Sequence, residues 1–211
     1  SFIEGLSIDN LKIYEQKLAE VCGAIESGKT LFELPLLDFP SISFGVEMAM
    51  QDYQTGGRYI LYPSTFTEGI DGIPINGLVW MSDKEYMIQQ IREKIESGYH
   101  CLKLKVGALS FDDELDVLKF IRQNFSSNTL EIRLDANGAF TASTALERLN
   151  RLSTFNIHSI EQPIAPGQCA LMHELCINSP IAIALDEELI ELSRSEQFHV
   201  LNQIKPHYII L

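Results

Sequence analysis

Two lysines lie one residue apart in the apolar stretch HCLKLKVG, at positions 103 and 105. Burying an ammonium group without a partner is costly, so this placement needs a chemical reason. In a β-strand, residues two apart point to the same side of the sheet. Lys103 and Lys105 then share one face, and the apolar residues around them pack against helices on the other. We therefore expect both amines to point into the interior of the fold.

Acidic residues stand at the ends of the next three strand candidates. LEIRLD ends at Asp135, HSIEQ contains Glu161, and IAIALD ends at Asp186. Carboxylates at neighbouring strand ends repel one another unless a cation lies between them, and several hard oxygen ligands suit Mg²⁺, with Mn²⁺ as an alternative. We predict that these three residues bind Mg²⁺. In the alternative interpretation, each carboxylate caps its own helix or pairs with an arginine such as Arg133.

The two amines and the predicted metal together indicate proton abstraction. A second ammonium group and a divalent cation both disfavour a protonated lysine, so we expect one of the pair to be neutral near pH 7 and to act as a base. A cation held by carboxylates can neutralise the charge that develops when a carbon next to a carboxylate loses its proton. The sequence thus predicts a small-molecule carboxylate substrate. Two alternatives are lysines that reach solvent from an edge strand and a Schiff-base aldolase, which leaves the carboxylates without a role.

A repeated strand and helix unit positions these residues. Segments with helical spacing of apolar residues separate the strand candidates, whose starts differ by about 24 to 29 residues. Parallel strands covered on both faces read as near-continuous apolar runs, as these do. Units of this length favour an α/β fold of the (β/α)8-barrel type, incomplete here at about six strands, with its active site at the carboxyl ends of the strands. No glycine-rich phosphate-binding motif follows a strand, which disfavours a nucleotide-binding sheet. The candidates lie near 75–80 and at 101–106, 130–135, 158–162, 181–186 and 207–211.

The first 72 residues are built differently from the rest of the chain. One helix is predicted within residues 9–28, capped by Asp9 or Asn10. A second helix is predicted within residues 41–57, with Ser41 as its cap. We expect these helices and the loop that follows them to form a separate layer in front of the barrel.

The composition excludes several classes of partner. The chain has 211 residues, 45% of them hydrophobic, and a formal net charge of -13. Nucleic acid and anionic membrane surfaces require clustered lysine and arginine, so neither is expected as a partner. The four cysteines show no metal-ligand spacing and are too sparse for a disulfide framework, and no apolar run reaches about 18 residues. We expect a cytoplasmic protein.

Four motifs carry a resemblance to a known family: KLKVG, LDANGAF, SIEQPI and IALDEEL. In this order and spacing they resemble the muconate-lactonising branch of the enolase superfamily, and FPSISFGVEMA and PINGLVWM are most similar to its o-succinylbenzoate synthase family. The resemblance implies a lyase that dehydrates 2-succinyl-6-hydroxy-2,4-cyclohexadiene-1-carboxylate to o-succinylbenzoate in menaquinone biosynthesis. It also implies a partial α+β capping domain at 1–72 and a partial barrel catalytic domain at 73–211.

The resemblance also implies roles for individual residues. Lys105 would be the base, with Lys103 beside it, and Mg²⁺ would be bound by the three acidic residues named above. Asn137 and Glu187 match positions near the metal, and Arg133 is a further candidate beside it. The stretch FIEGLSID resembles a loop that closes over the substrate. Its candidate substrate contacts are Gly5, Leu6 and Ser7.

Two other functions remain open at this stage. An N-succinylamino acid racemase or dipeptide epimerase of the same superfamily would use the same metal, whereas an inactive barrel that serves as a binding module would need none. Six strands are visible where a barrel needs eight, and the chain stops at HYIIL, where the family places a further active-site lysine. We therefore expect this sequence to be part of a longer protein and to have little or no dehydratase activity alone.

Overall fold

The computed structural model describes residues 9–30, 33–34, 36, 38–190 and 192–210. The chain divides into two compact units, Ser1–Ile73 and Pro74–Leu211. Among the described residues, no helix combines the length and the apolar character that crossing a membrane requires.

The described part of the first unit is helical. A 3-10 turn, Leu11–Ile13, leads into α1 (Tyr14–Glu26), and α2 covers Pro40–Gln54. Apolar side chains from both helices and from the segment between them bury one another. This small core consists of Val21, Leu36, Phe39 and Ile42.

The prediction that Ser41 caps the second helix is wrong. Helix α2 begins one residue earlier at Pro40, whose fixed φ suits the first helical position. Asp9 Oδ1 instead accepts hydrogen bonds from the backbone nitrogen and the Oγ of Ser41, at 3.2 Å and 2.8 Å. Asn10 caps only the 3-10 turn, through a bond from Lys12 N. A residue far away in sequence therefore satisfies the start of α2.

The second unit is a sheet of six parallel strands, hydrogen-bonded in chain order and separated by helices. This confirms the predicted fold class of a partial (β/α) barrel, although the strands are shorter than the apolar runs that predicted them. The elements are β1 (Gly77–Val79), α3 (Lys84–Glu96), β2 (Cys101–Lys105), α4 (Phe111–Asn124), β3 (Glu131–Asp135), α5 (Ala145–Ser153), β4 (Ser159–Glu161), α6 (Cys169–Asn178), β5 (Ala182–Leu185), a 3-10 turn (Glu187–Leu189), α7 (Arg194–Ile204) and β6 (Tyr208–Ile209).

Alternate residues of the strands divide between a helix-facing layer and an inner face. The helix-facing side chains are almost completely inaccessible to solvent, and each contributes about 1.5–3 kcal/mol of burial free energy. This apolar layer holds the sheet to its helices and leaves the inner face available for polar groups. It includes Leu102, Leu104, Ile132, Leu134, Ile160, Ile183 and Leu185.

The pairing register places the polar residues of the inner face at one level. Lys105 pairs with Asp135, and Asp135 pairs with Glu161. Glu161 in turn pairs with Ala184 on β5. Because strand residues alternate with a period of two, Asp186 follows on the same side as Ala184. Four successive strands therefore bring their inner-face residues together at the carboxyl end of the sheet.

Arg122 closes the opposite end of the sheet. It lies in the last turn of α4 and is half-buried. Its guanidinium donates to the carbonyl oxygens of Phe155, Leu130 and Asn156, at 2.6 Å, 2.8 Å and 3.0 Å. These carbonyls precede β3 and β4, so Arg122 stabilises the amino ends of the strands, away from the charged residues.

A glycine brings the loops after β3 and β4 together. Asn137 and Gly138 both adopt positive φ, 43° and 75°. A Cβ atom at Gly138 would lie 2.9 Å from Cα and 3.1 Å from N of Ala165. Only glycine combines this backbone conformation with so close an approach.

Gly138→Ala is therefore expected to lower the free energy of unfolding of the full-length protein by about 2–4 kcal/mol, from backbone strain and from displacement of the facing loop. Urea denaturation measures the loss. Gly98→Ala is the matched control, since Gly98 has a φ of 87° but, its chain neighbours aside, no atom of the described residues lies within 4 Å of the added Cβ. Equal losses in the two variants would contradict the proposed role of the close approach.

Candidate active site

Lys103 and Lys105 project from β2 toward carboxylates on the next two strands. Lys103 Nζ lies 2.6 Å from Glu161 Oε2 and 3.2 Å from Asp135 Oδ2. Lys105 Nζ lies 2.5 Å from the same Asp135 oxygen. The two lysine side chains are only 21% and 15% exposed. Since β2 lies between β1 and β3, the alternative of lysines reaching solvent from an edge strand is wrong.

The carboxylates and amines set one another's charge. Burial opposes the ionisation of Asp135, but hydrogen bonds and charges from Lys105 and Lys103 hold its pKa below the ordinary value. Burial lowers the pKa of Lys103, but the hydrogen bond to Glu161 and the charges of both carboxylates outweigh it and raise that pKa above the ordinary value. The expectation of a lysine that is neutral near pH 7 is therefore not met by Lys103.

The surroundings of Glu161 disfavour its ionised form. Burial is the largest cause that raises its pKa, to about 7. Lys103 opposes the rise, whereas the charge of Asp135 and the neighbouring carboxyl of Asp186 add to it. Asp135 and Asp186 thus both lie close enough to Glu161 to disfavour its ionised form.

The carboxylates do not cap the helices that follow them. Asp186 is half-buried and precedes the 3-10 turn, but its side chain makes no capping bond. The residues at the N-cap positions of α5, α6 and α7 lie several positions further along the chain. They are Thr144, Gln168 and Ser193. The capping alternative is therefore wrong for all three strand ends.

Asn137 links the amine of Lys105 to Glu187. Its Oδ1 accepts from Lys105 Nζ at 2.8 Å, and its Nδ2 donates to Glu187 Oε1 at 2.7 Å. The other oxygen, Glu187 Oε2, is buried and has no hydrogen-bond partner among the described residues. Two residues expected near the metal therefore lie beside the amines, and one of them has a free acceptor atom.

Arg133 is not brought into this group. Arg133 lies on the inner face of β3, two residues before Asp135. Its Nε donates to Glu131 Oε1 at 2.7 Å. It makes an exposed ion pair with Glu131 and pairs with none of the three site carboxylates. The candidate substrate contacts Gly5, Leu6 and Ser7 lie outside the described residues.

An aromatic residue was missed by reading the strand ends for charge alone. Trp80 directly follows β1, and the centre of its ring lies 5.8 Å from Lys105 Nζ. The side-chain amide of Gln90 accepts from Trp80 N at 2.9 Å and donates to Trp80 O at 3.0 Å, which fixes this strand end. Its position at the end of the first strand candidate is the sequence signal that would have included it.

The amines occupy the space between the acidic groups. Among the described residues, no three or more His, Cys, Asp and Glu side chains are arranged to hold a metal ion. The donor set nevertheless suits a hard divalent cation, because Asp135 and Asp186 both disfavour the ionised form of Glu161, and a cation between the carboxyl groups would offset that effect. Asp135, Glu161 and Asp186 are the residues that could hold it.

Comparisons with known proteins give a consistent family. Residues 86–204 match the family model described as Enolase C-terminal domain-like. An o-succinylbenzoate synthase of Desulfotalea psychrophila is 48% identical over 198 residues, which cover 94% of this chain and 53% of that protein. The crystal structure of MenC from Desulfotalea psychrophila LSv54 is 40% identical with a TM-score of 0.73, and the match covers 100% of this chain and 67% of that one.

A third similarity concerns the fold alone. The structure of o-succinylbenzoate synthase from Thermosynechococcus elongatus BP-1, complexed with Mg in the active site, is 24% identical with a TM-score of 0.74. The match covers 98% of this chain and 60% of that one. The chain spans about half the length of the curated Desulfotalea relative.

Proposed function

This chain belongs to the enolase C-terminal domain-like family, as its motifs predict, and from that premise we propose that it carries the catalytic residues of an o-succinylbenzoate synthase. The reaction removes water from 2-succinyl-6-hydroxy-2,4-cyclohexadiene-1-carboxylate and gives o-succinylbenzoate, a step of menaquinone biosynthesis. The observation that carries the proposal is the convergence of two lysines on Asp135 and Glu161 at the carboxyl end of the sheet. The 48% identity to a synthase of that name supports the choice of substrate.

Asp135, Glu161 and Asp186 would hold a divalent cation, for which we propose Mg²⁺, with Mn²⁺ as an alternative. When bound, the cation would neutralise the negative charge that develops on the substrate carboxylate as the neighbouring carbon loses its proton. Displacement of the lysine amines from the acidic oxygens would accompany binding. The raised pKa of Glu161, to which both Asp135 and Asp186 contribute, supports this assignment.

Lys105 is the proposed base. Its Nζ is aimed by Asp135 and Asn137, and as a free amine it would take the proton from the ring carbon that bears the carboxylate. The electrons of that C–H bond form a new ring double bond while the hydroxyl group leaves the adjacent carbon. A syn elimination keeps both groups on one face, so the same amine can return its proton to the hydroxyl and release water.

Lys103 and Asn137 are proposed to support that amine. Before the cation binds, the ammonium group of Lys103 bridges Asp135 and Glu161 and so orients both carboxylates. Asn137 accepts from Lys105 and is itself held by Glu187. The position of the base is thus determined by residues from four strand ends.

An assay of the full-length protein on the cyclohexadiene acid with Mg²⁺ tests the proposal. Conversion to o-succinylbenzoate, lost on chelation of the metal, is expected. The rival epimerase or racemase function predicts exchange of an amino-acid alpha proton in deuterated water and no dehydration. An inactive barrel predicts neither reaction.

Trp80 is expected to form one wall of the substrate site, because its exposed ring lies over Lys105 and offers a flat surface to a six-membered ring. Trp80→Leu is expected to raise KM roughly 2- to 10-fold with little change in kcat, since such aromatic contacts contribute about 0.5–1.5 kcal/mol. Trp80→Phe keeps an aromatic face and should stay near the wild-type KM. Steady-state kinetics measure both, and equal KM values for the leucine variant and wild type would contradict the contact.

A further inference from the structure

Gln162 occupies an unusual position directly after Glu161. It is completely buried, and its φ of 38° lies in the left-handed region that residues other than glycine seldom adopt. Its backbone joins the loop after β4 to strand β5 and to the loop after β3, because its nitrogen donates to Ala184 O at 2.9 Å and its oxygen accepts from Gly138 N at 2.7 Å. A residue in such a conformation is maintained only when its surroundings determine it.

The side chain of Gln162 uses every hydrogen-bonding position it has. Its Oε1 accepts from Asp186 N at 3.3 Å and from Glu188 N at 3.2 Å. Its Nε2 donates to Glu188 Oε2 at 3.1 Å and to Ile164 O at 3.0 Å. The opposite amide orientation would point two N–H groups at two backbone donors, so the contacts fix the orientation.

Glu188 extends this buried group to the loop after β4. It is 6% exposed, and its Oε1 accepts from Gly167 N at 2.9 Å. Cys169 Sγ contacts the same oxygen at 3.6 Å. Gln162 and Glu188 therefore connect the β4 strand end, the loop before α6 and the 3-10 turn after β5 in one network.

We propose that Gln162 and Glu188 are positioning residues that fix the spacing between Glu161 and Asp186. Gln162 is bonded covalently to Glu161, and its side chain holds the backbone nitrogen of Asp186. Glu188 accepts a hydrogen bond from the side-chain amide nitrogen of Gln162. This inference rests on the proposed function, in which Glu161 and Asp186 bind the same cation.

Calorimetric titration of Mg²⁺ into the full-length protein tests the inference without an activity assay. Gln162→Met keeps the length of the side chain and removes its hydrogen bonds, and the Kd for Mg²⁺ is expected to rise about 10- to 100-fold, as for other outer partners of metal ligands. Arg122→Met is the matched control, because it removes three hydrogen bonds at the opposite end of the sheet. It should lower the melting temperature and leave the Kd unchanged. A similar rise in Kd for both variants would overturn the inference.

A donor exchange covers the case in which Gln162→Met does not fold. Gln162→Glu places two carboxylates together and is expected to weaken Mg²⁺ binding. The added change Glu188→Gln restores a donor opposite an acceptor at this pair, while the carbonyl of Ile164 stays without its donor. The double variant should therefore bind Mg²⁺ more tightly than Gln162→Glu alone and less tightly than the wild type. If the double variant shows no recovery of Mg²⁺ affinity, the inference is overturned and the proposed function is not affected. A wild-type protein that does not bind Mg²⁺ would overturn the proposed function and the inference with it.

Discussion

Lys105→Ala is expected to lower kcat for dehydration by about 10²- to 10⁴-fold in the full-length protein, the range that a general base contributes. Lys103 is the other amine of this group, but it lies two residues further than Lys105 from the carboxyl end of β2, where the substrate would bind. Steady-state assays on the cyclohexadiene acid measure the change. The variant should still bind Mg²⁺, because the amine is not one of the proposed ligands.

Lys84→Ala provides the comparison for this loss. Lys84 is a lysine in the same unit that pairs with Asp116 at 2.8 Å and Asp113 at 3.8 Å near the surface. Exposed pairs of this kind contribute little to stability, so kcat should be unchanged. A loss of less than tenfold for Lys105→Ala would exclude Lys105 as the base.

Glu161→Gln is expected to weaken Mg²⁺ binding by more than about 100-fold, since the loss of an outer partner of a metal ligand already costs about 10- to 100-fold. The substitution keeps the size of the side chain and removes one of the oxygen charges that attract the cation. Burial and the neighbouring carboxyl groups raise the pKa of Glu161 to about 7. The metal-free variant is therefore not expected to melt below the wild type. Calorimetry and thermal denaturation measure the two effects separately.

Glu147→Gln is the matched control for the loss of one carboxylate. Glu147 lies on the exposed side of α5, where it pairs with Arg151 at 3.8 Å. Its replacement should leave the Kd for Mg²⁺ as in the wild type. Unchanged affinity in Glu161→Gln would remove that residue from the ligand set and leave the metal assignment without support.

The strands could be predicted from the sequence because each is a run of apolar residues whose partners are other such runs. Periodicity also indicated that Lys103 and Lys105 share a face, and the structure places both amines beside Asp135. The sequence did not predict which amine of the pair stays protonated, because it does not give the distances from Lys103 to Asp135 and Glu161. The pKa of a buried group depends on all the charges around it, and these are set by the fold.

Residues that act through distant partners could not be predicted in this way. Asp9 satisfies a helix that begins 31 positions later, at Pro40, and Gln162 bonds to Glu188 across 26 positions. Nothing local in the sequence distinguishes these polar side chains from exposed ones. Gln162 stands inside the quoted motif SIEQPI, yet its burial and its four bonds are apparent only when the loops are assembled.

The shared register of β2, β3 and β4 limits how related sequences can differ in length. One residue inserted within β3 would turn Asp135 toward the helices and direct a leucine into the interior, since each step along a strand reverses the side of the sheet. Insertions and deletions should therefore be confined to the connections between elements. Even there, the connection after β3 has little tolerance, because Gly138 packs directly against the backbone at Ala165.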